Sequence, residues 1–438
     1  MLVLSQYKII IGNIVSPVDD HQANYFRQGC MLLEFEKNSS AYLIKEHFNL
    51  SELKLKMREY KNCELLDYSG KLIIPSFCDT HFHWVQDDVR EMNKDNLLDW
   101  LKNHTWPNEA KFSDEQYTKN KSVEFAKSLI KAGTLTGAVY GSIHQHSVDY
   151  ALESFPGDFI AGNVLMTMNS PDDLLQKQQE AIELVSKLSS KYKSRYAVTP
   201  RFAITTHPEV MTETGKLAHA NDSFIQTHLC ETTQEIEVVM DIYSKLPGFE
   251  NVKTYTEVYE KCGLLGPKSI FGHGIHLTDE ELTMLKKSSS SIAHCPSSNA
   301  PVANRGLGSG LFDLDVINKH NISWSLASDI GAGPYLSMID VMNSFVHQHQ
   351  KAGRSYVSWV MALYRSTYAG ERICGNHQRR GKLEIGKEAN FLVIDSERIE
   401  SSWDVERTLK NCFEVNEDQR YALDQKILDV FWQGNKVS

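Results

Sequence analysis

Residues Lys71–His83 read KLIIPSFCDTHFH, an apolar run that ends in two histidines one residue apart. On an extended chain, residues two apart point to the same side. His81 and His83 therefore present two imidazoles together at a strand end, and two imidazoles so placed can bind one divalent metal. Alone the pair is a weak signal, because unrelated polar histidines are common. Its weight comes from what recurs further along.

Four more strand-like runs end in residues of the same chemistry. Ser223–Thr227 (SFIQT) leads into His228, with Glu231 three residues on; Ser269–Phe271 (SIF) leads into Gly272-His273-Gly274-Ile275-His276. Ser291–His294 (SIAH) leads into Cys295-Pro296, and Ile322–Ala327 (ISWSLA) leads into Ser328-Asp329. Thr136–Tyr140, Phe159–Met166 and Tyr196–Thr199 are further short apolar runs. Amphipathic stretches separate several of them. Asp279–Lys287 opens with acidic residues and closes with lysines, which matches the helix macrodipole. Leu174–Leu188 has apolar residues at helical intervals. Strand–helix alternation of this kind implies a mostly parallel sheet. Polar residues at the C-terminal ends of several strands are the signature of barrel active sites, and the 249 residues from His81 to Asp329 match the ~250 of such a barrel. The expected fold class is α/β, a (β/α)8 TIM barrel over residues 71–375.

The flanks differ. Tyr7–Ile11, Met31–Phe35 and Ala41–Ile44 are β-rich, and so are Asn390–Asp395 and Ile427–Phe431 near the other end. Residues 1–70 and 376–438 are expected to pair into a small β-sandwich domain. The net charge of -10 disfavours polyanionic partners such as nucleic acid. No stretch approaches the ~18 apolar residues that span a bilayer, and the N-terminal run alternates like a strand rather than a signal peptide. The eight scattered cysteines form no C-x-x-C pair, as expected of free thiols in a reducing compartment, here the cytoplasm. The same absence excludes the Cys-x-x-Cys zinc fold of the nucleic-acid deaminases.

Imidazole and carboxylate donors suit zinc or ferrous iron. Three neutral histidines and one aspartate leave such a site near +1, enough to bring a bound water's pKa down toward ~7. Hydrolysis of a C–N bond in a ring also needs a proton carrier, and Glu231 is suited to that task.

The ordered set resembles the amidohydrolase superfamily, in its one-metal aminohydrolase branch, and within that branch the guanine deaminases. The likeness runs from about residue 70 to the C-terminus. Its general elements are Thr80–Gln86 (THFHWVQ), His228–Glu231 (HLCE), Tyr255–Tyr259 (YTEVY), Gly272–Gly274 (GHG), Ser291–Asn299 (SIAHCPSSN) and Ser328–Gly333 (SDIGAG). Its specific elements are Asn96–Glu109 (NLLDWLKNHTWPNE) and Thr199–Phe202 (TPRF). The resemblance implies that His81, His83, His228 and Asp329 bind one metal, zinc or alternatively iron. It implies that His273 holds the reacting water, that Asp329 takes a proton from it, and that Glu231 shuttles protons to the ring and to the leaving amine. Gln86, Arg201 and Phe202 would recognise a purine. The implied activity is hydrolysis of guanine to xanthine and ammonia, by a homodimer. Departures from the family pattern are Pro75-Ser76-Phe77, Ser297 after His294-Cys295-Pro296, and the charged stretch Ala369–Arg380; none removes a ligand. Another amino-purine, a pterin or a triazine remains open as the substrate, and a non-catalytic scaffold is the reading from a different class. Manganese is a third candidate for the metal.

Overall fold

The computed structural model describes residues 5–92, 94, 96–300, 306–396, 404–415 and 423–438; Met1–Leu4, at the head of the N-terminal run, lie outside them. The chain forms two compact units. One is built from Met1–Cys78, Ser128–Leu135 and Ser337–Ser438, the other from Asp79–Lys127 and Thr136–Leu336.

The first unit begins with β1 (Tyr7–Pro17), β2 (Ala23–Glu36), β3 (Ala41–Asn49) and β4 (Glu64–Pro75). Side chains alternate across β1 with period two. Ile9 and Ile11 pack with Cys30, Leu32 and Phe48, whereas Ile10 and Ile14 pack with Met31, Leu33 and Ile73. Both faces of this strand are therefore apolar and buried.

The strands that follow are β5 (Phe77–His83), β6 (Thr134–Tyr140), β7 (Asp158–Gly162), β8 (Val164–Leu165), β9 (Ala197–Pro200), β10 (Phe224–Leu229), β11 (Ser269–His273), β12 (Ser291–His294) and β13 (Ser323–Leu326). They lie in two sheets, ordered β5-β6-β7 and β13-β12-β11-β10-β9-β8. The pairings from β6 to β7 and from β8 through β13 are parallel. A bridge between Ala161 and Tyr196 joins the end of β7 to the start of β9. At the other margin, Asp329 N donates to His81 O (2.9 Å) and His83 N donates to Ile330 O (2.6 Å). The Thr80 and Ser325 hydroxyls meet at 2.7 Å along the same seam.

The chain returns through β14 (Phe391–Ile394), β15 (Ile427–Trp432) and β16 (Asn435–Lys436) to complete a seven-stranded sheet, β16-β15-β14-β4-β1-β2-β3. Tyr42 of β3 and Phe431 of β15, near opposite margins of that order, share one apolar cluster. Tyr42 N donates to Gln433 O (3.1 Å), so the sheet curls until its margins meet.

Local sequence explains where several helices begin. Thr232, Thr254 and Thr278 each precede a glutamate three residues on, and each pair forms a reciprocal capping box at the start of Thr233–Tyr243, Tyr255–Lys261 and Asp279–Ser288. The helix expected from Leu174 begins instead at Gln178. Leu174 is buried in a single tight turn after Pro171, while Leu175 is extended and partly exposed, so the apolar spacing there reflects anchoring of a turn.

Candidate metal centre and substrate pocket

Every residue singled out from the sequence as a ligand or acid–base group lies in the second unit, at or just beyond a strand end. His81 and His83 close β5, with ring centroids 5.2 Å apart. His228 lies in β10, His273 ends β11, and Asp329 follows β13. His273 (φ 72°) and Asp329 (φ 50°) both hold the left-handed backbone conformation, sparsely used by residues with a side chain and concentrated at functional sites. Gly272 makes room for the His81 ring: a Cβ there would stand 2.6 Å from His81 Cε1.

The donor atoms of His81, His228, His273 and Asp329 all lie within 4.8 Å of one another. His83 joins them, its Nε2 3.1 Å from His228 Nε2 and 3.6 Å from Asp329 Oδ1. His81 Nε2 lies 3.3 Å from the same carboxylate oxygen. Ligands bonded at ~2.0–2.1 Å around a tetrahedral ion stand ~3.3 Å apart, so these spacings fit one small cation.

A contact behind His228 fixes which nitrogen that imidazole offers. His228 Nδ1 meets Arg201 O at 2.6 Å, which commits its proton there and leaves Nε2 as a lone pair. His273 Nδ1 meets the Asn299 side-chain amide, 3.2 Å from both Oδ1 and Nδ2, and its Nε2 has no hydrogen-bond partner. Burial pushes the His83 and His228 imidazoles well below their ordinary range, reinforced by neighbouring histidines and Arg201. His273 is pushed down to about 4, chiefly by burial. Burial thus favours the neutral, ligating form of His83, His228 and His273. Burial acts upward on Asp329, but the adjacent His81 and His273 rings outweigh it and hold the carboxylate below its usual range. Asp79 Oδ1 accepts from His81 N (3.2 Å) and Ser328 N (3.1 Å), binding the two ligand-bearing segments together.

Glu231 stands beside this cluster. Its Oε2 is 3.5 Å from His273 Nε2, and its Oε1 accepts from Asn299 Nδ2 (3.1 Å) and Ser309 Oγ (3.5 Å). Burial, then the charges of Asp329 and Glu235, push its carboxyl well above the usual range. A buried carboxyl of this kind can carry a proton.

A cavity opens on the cluster. Gln86, Arg201 and Phe202 line it together with His83, His228, Glu231, His273 and Asp329. Three lining residues, Leu97, Trp100 and Leu101, carried no assignment from the sequence, although they stand in the NLLDWL segment. Also unassigned were Asn299, which joins His273 to Glu231, and Glu109, which accepts from both Gln86 and Arg201. Only the family-like segments that contain Asn299 and Glu109 could have marked them.

The amidohydrolase family matches residues 72–437. Guanine deaminase of Escherichia coli (strain K12) is 36% identical over 337 residues, 75% of this chain and 74% of its own length. The solved structure of E. coli guanine deaminase superposes with a TM-score of 0.86 at 29% identity, covering 98% of this chain and 99% of its own. A guanine deaminase from C. acetobutylicum with guanine bound in its active site gives 0.83 at 26% identity, covering 99% and 100%. With that family matched along residues 72–437 and a His/Asp cluster set at its strand ends, the chain belongs to the amidohydrolase family.

Proposed function

We propose that this protein is a metal-dependent guanine deaminase, converting guanine and water to xanthine and ammonia. The observation that carries the reading is a shared cavity: Gln86, Arg201 and Phe202 face the same space as the donor cluster and Glu231. The guanine deaminases similar to this chain, one of them with guanine bound, support it.

His81, His83, His228 and Asp329 would hold one zinc ion, with ferrous iron suited to the same donors. When bound, the metal supplies a water activated for attack on carbon. His273 would hold that water through Nε2, and the Asp329 carboxylate would take its proton. Glu231 would deliver a proton first to the ring nitrogen beside the attacked carbon and then to the departing amine. Arg201 would donate to the ring oxygen, Gln86 would bind the polar edge, and Phe202 would pack on the ring.

The hydrogen bonds from β5 to the residues after β13, with the Ala161–Tyr196 bridge, support closure of the parallel strands into a (β/α)8 barrel. The curl of the seven-stranded sheet supports a small sandwich made by residues 1–70 and 376–438, leaving 71–375 as the barrel domain. The eight free thiols support a reducing, cytoplasmic setting. Among the described residues no helix is long and apolar enough to cross a membrane. Assembly as a homodimer rests on the family resemblance.

The test is ammonia release by the zinc-loaded protein on guanine beside adenine, cytosine, a pterin and a triazine, with bound metal counted. Turnover of guanine that vanishes on chelation and returns with zinc is expected. Turnover of another ring with guanine inert would retain the metal and Glu231 assignments and overturn those of Gln86, Arg201 and Phe202.

A further inference from the structure

We propose that Glu109 determines which ring edge the pocket accepts, by holding the Gln86 amide in one of its two orientations. The inference rests on the guanine reading above and names a positioning residue for it.

Glu109 is 0% exposed. Its Oε1 accepts from Gln86 Nε2 at 2.7 Å and its Oε2 from Arg201 Nη1 at 2.5 Å. Next to it, Asn108 Nδ2 donates to Val85 O at 2.8 Å, so the backbone beside Gln86 is pinned to the same segment. A carboxylate paired with a guanidinium has no hydrogen to give. An amide facing it must turn its NH2 toward it, because the flipped amide would set one bare oxygen against another in a buried wall. Gln86 thereby turns its carbonyl oxygen away from Glu109 and toward the pocket, on the side of the amide opposite the bond to Glu109. Arg201, tied to Glu109 through one terminal nitrogen, keeps further N–H groups for a ligand.

The wall therefore presents one acceptor from Gln86 near donors from Arg201. Guanine matches this pattern, with its N1–H donor adjacent to its O6 acceptor. 2-Aminopurine carries the same amino group at C2 but has a bare N1 and no O6. It meets the Gln86 oxygen acceptor to acceptor and gives Arg201 nothing to bind.

The test compares kcat/KM for guanine and for 2-aminopurine in the zinc-loaded wild type, in Glu109→Gln, and in the double exchange Gln86→Glu/Glu109→Gln. In Glu109→Gln the new amide accepts from Arg201 through its oxygen and turns its NH2 toward Gln86. Gln86 must then flip and show its own NH2 to the pocket. The guanine-to-2-aminopurine ratio is expected to fall by roughly 10–100-fold, with bound metal unchanged. The double exchange conserves charge and hydrogen-bond count and again leaves an accept-only oxygen facing the ring. It should recover most of the lost ratio, an effect that a merely structural role for Glu109 would not produce. An unmoved ratio in Glu109→Gln overturns the proposal. So does a double exchange that discriminates no better than the single variant or, should the single variant fail to fold, one that lacks the guanine preference. A wild type inert on guanine would instead defeat the functional reading, which keeps the two failures distinct.

Discussion

Replacing Arg201 with methionine should destabilise the protein far more than removal of a surface charge would. Its guanidinium sits 2.5 Å from Glu109, with side-chain exposures of 3% and 0%. Little water reaches the contact between them at that depth. Breaking a buried pair by deleting one member costs about 3–5 kcal/mol, because the survivor is left charged and unpaired; deleting both is often near neutral. Arg201→Met and Glu109→Met should each cost that much, whereas the double variant should cost much less than the sum. The coupling should reach about 3 kcal/mol or more, well beyond the ~0.5 kcal/mol within which independent sites add. Urea unfolding of the zinc-loaded proteins, followed by tryptophan fluorescence, measures all four corners of the cycle. Arg201→Met should also raise KM for guanine strongly, since a donor to the ring oxygen is gone. Additive single variants, or single costs under about 1 kcal/mol, would refute the claim that the pair is dry and mutually dependent.

Glu231→Gln should keep its metal and lower kcat by about 10²–10⁴-fold, the usual worth of a positioned proton carrier; near-normal turnover with metal bound would remove Glu231 from that role. Burial pushes Asp340 up to about 7, against the opposing hydrogen bond from Leu423 N. Between about pH 4 and about pH 7 the folded protein therefore holds a proton that the unfolded chain has released, and stability contributed at this position falls as pH rises through that window. Asp340→Asn stays neutral and still accepts from Leu423 N. Its melting temperature relative to wild type should climb as pH rises, and a pH-independent difference would show that Asp340 is not buried as described.

The donor positions stood out in the chain because one local pattern, a polar residue closing an apolar strand-like run, recurs along it. A strand displays positions i and i+2 on one face, so His81 and His83 announce themselves within three residues. The charge gradient from Asp279 to Lys287 is an equally compact signal, which is why the helix Asp279–Ser288 could be delimited closely. Glu109 was not readable in this way. Its partner Arg201 lies 92 positions away, and a lone glutamate in sequence is far more often a solvated charge than a buried anchor. Asn299 is similar: its amide matters only because β11 and the loop after β10 bring His273 and Glu231 to it. The left-handed turns at His273 and Asp329 carry no glycine to flag them. The Leu174–Leu188 spacing misled because an apolar residue anchoring a turn has the same period as one on a helix face.

The contact from Ser328 N to Asp79 Oδ1 links groups 249 positions apart in the chain. During synthesis, His81 and His83 leave the ribosome early, whereas Asp329 emerges only after nearly the whole second unit. Joining ends that distant costs about 5 kcal/mol in chain entropy before any contact repays it, so the seam forms late. Until then His81, His83 and His228 lack the Asp329 carboxylate that completes the cluster. A metal held by the complete set would thus be captured at the end of biosynthesis, as a seal on the finished fold rather than as a seed for it.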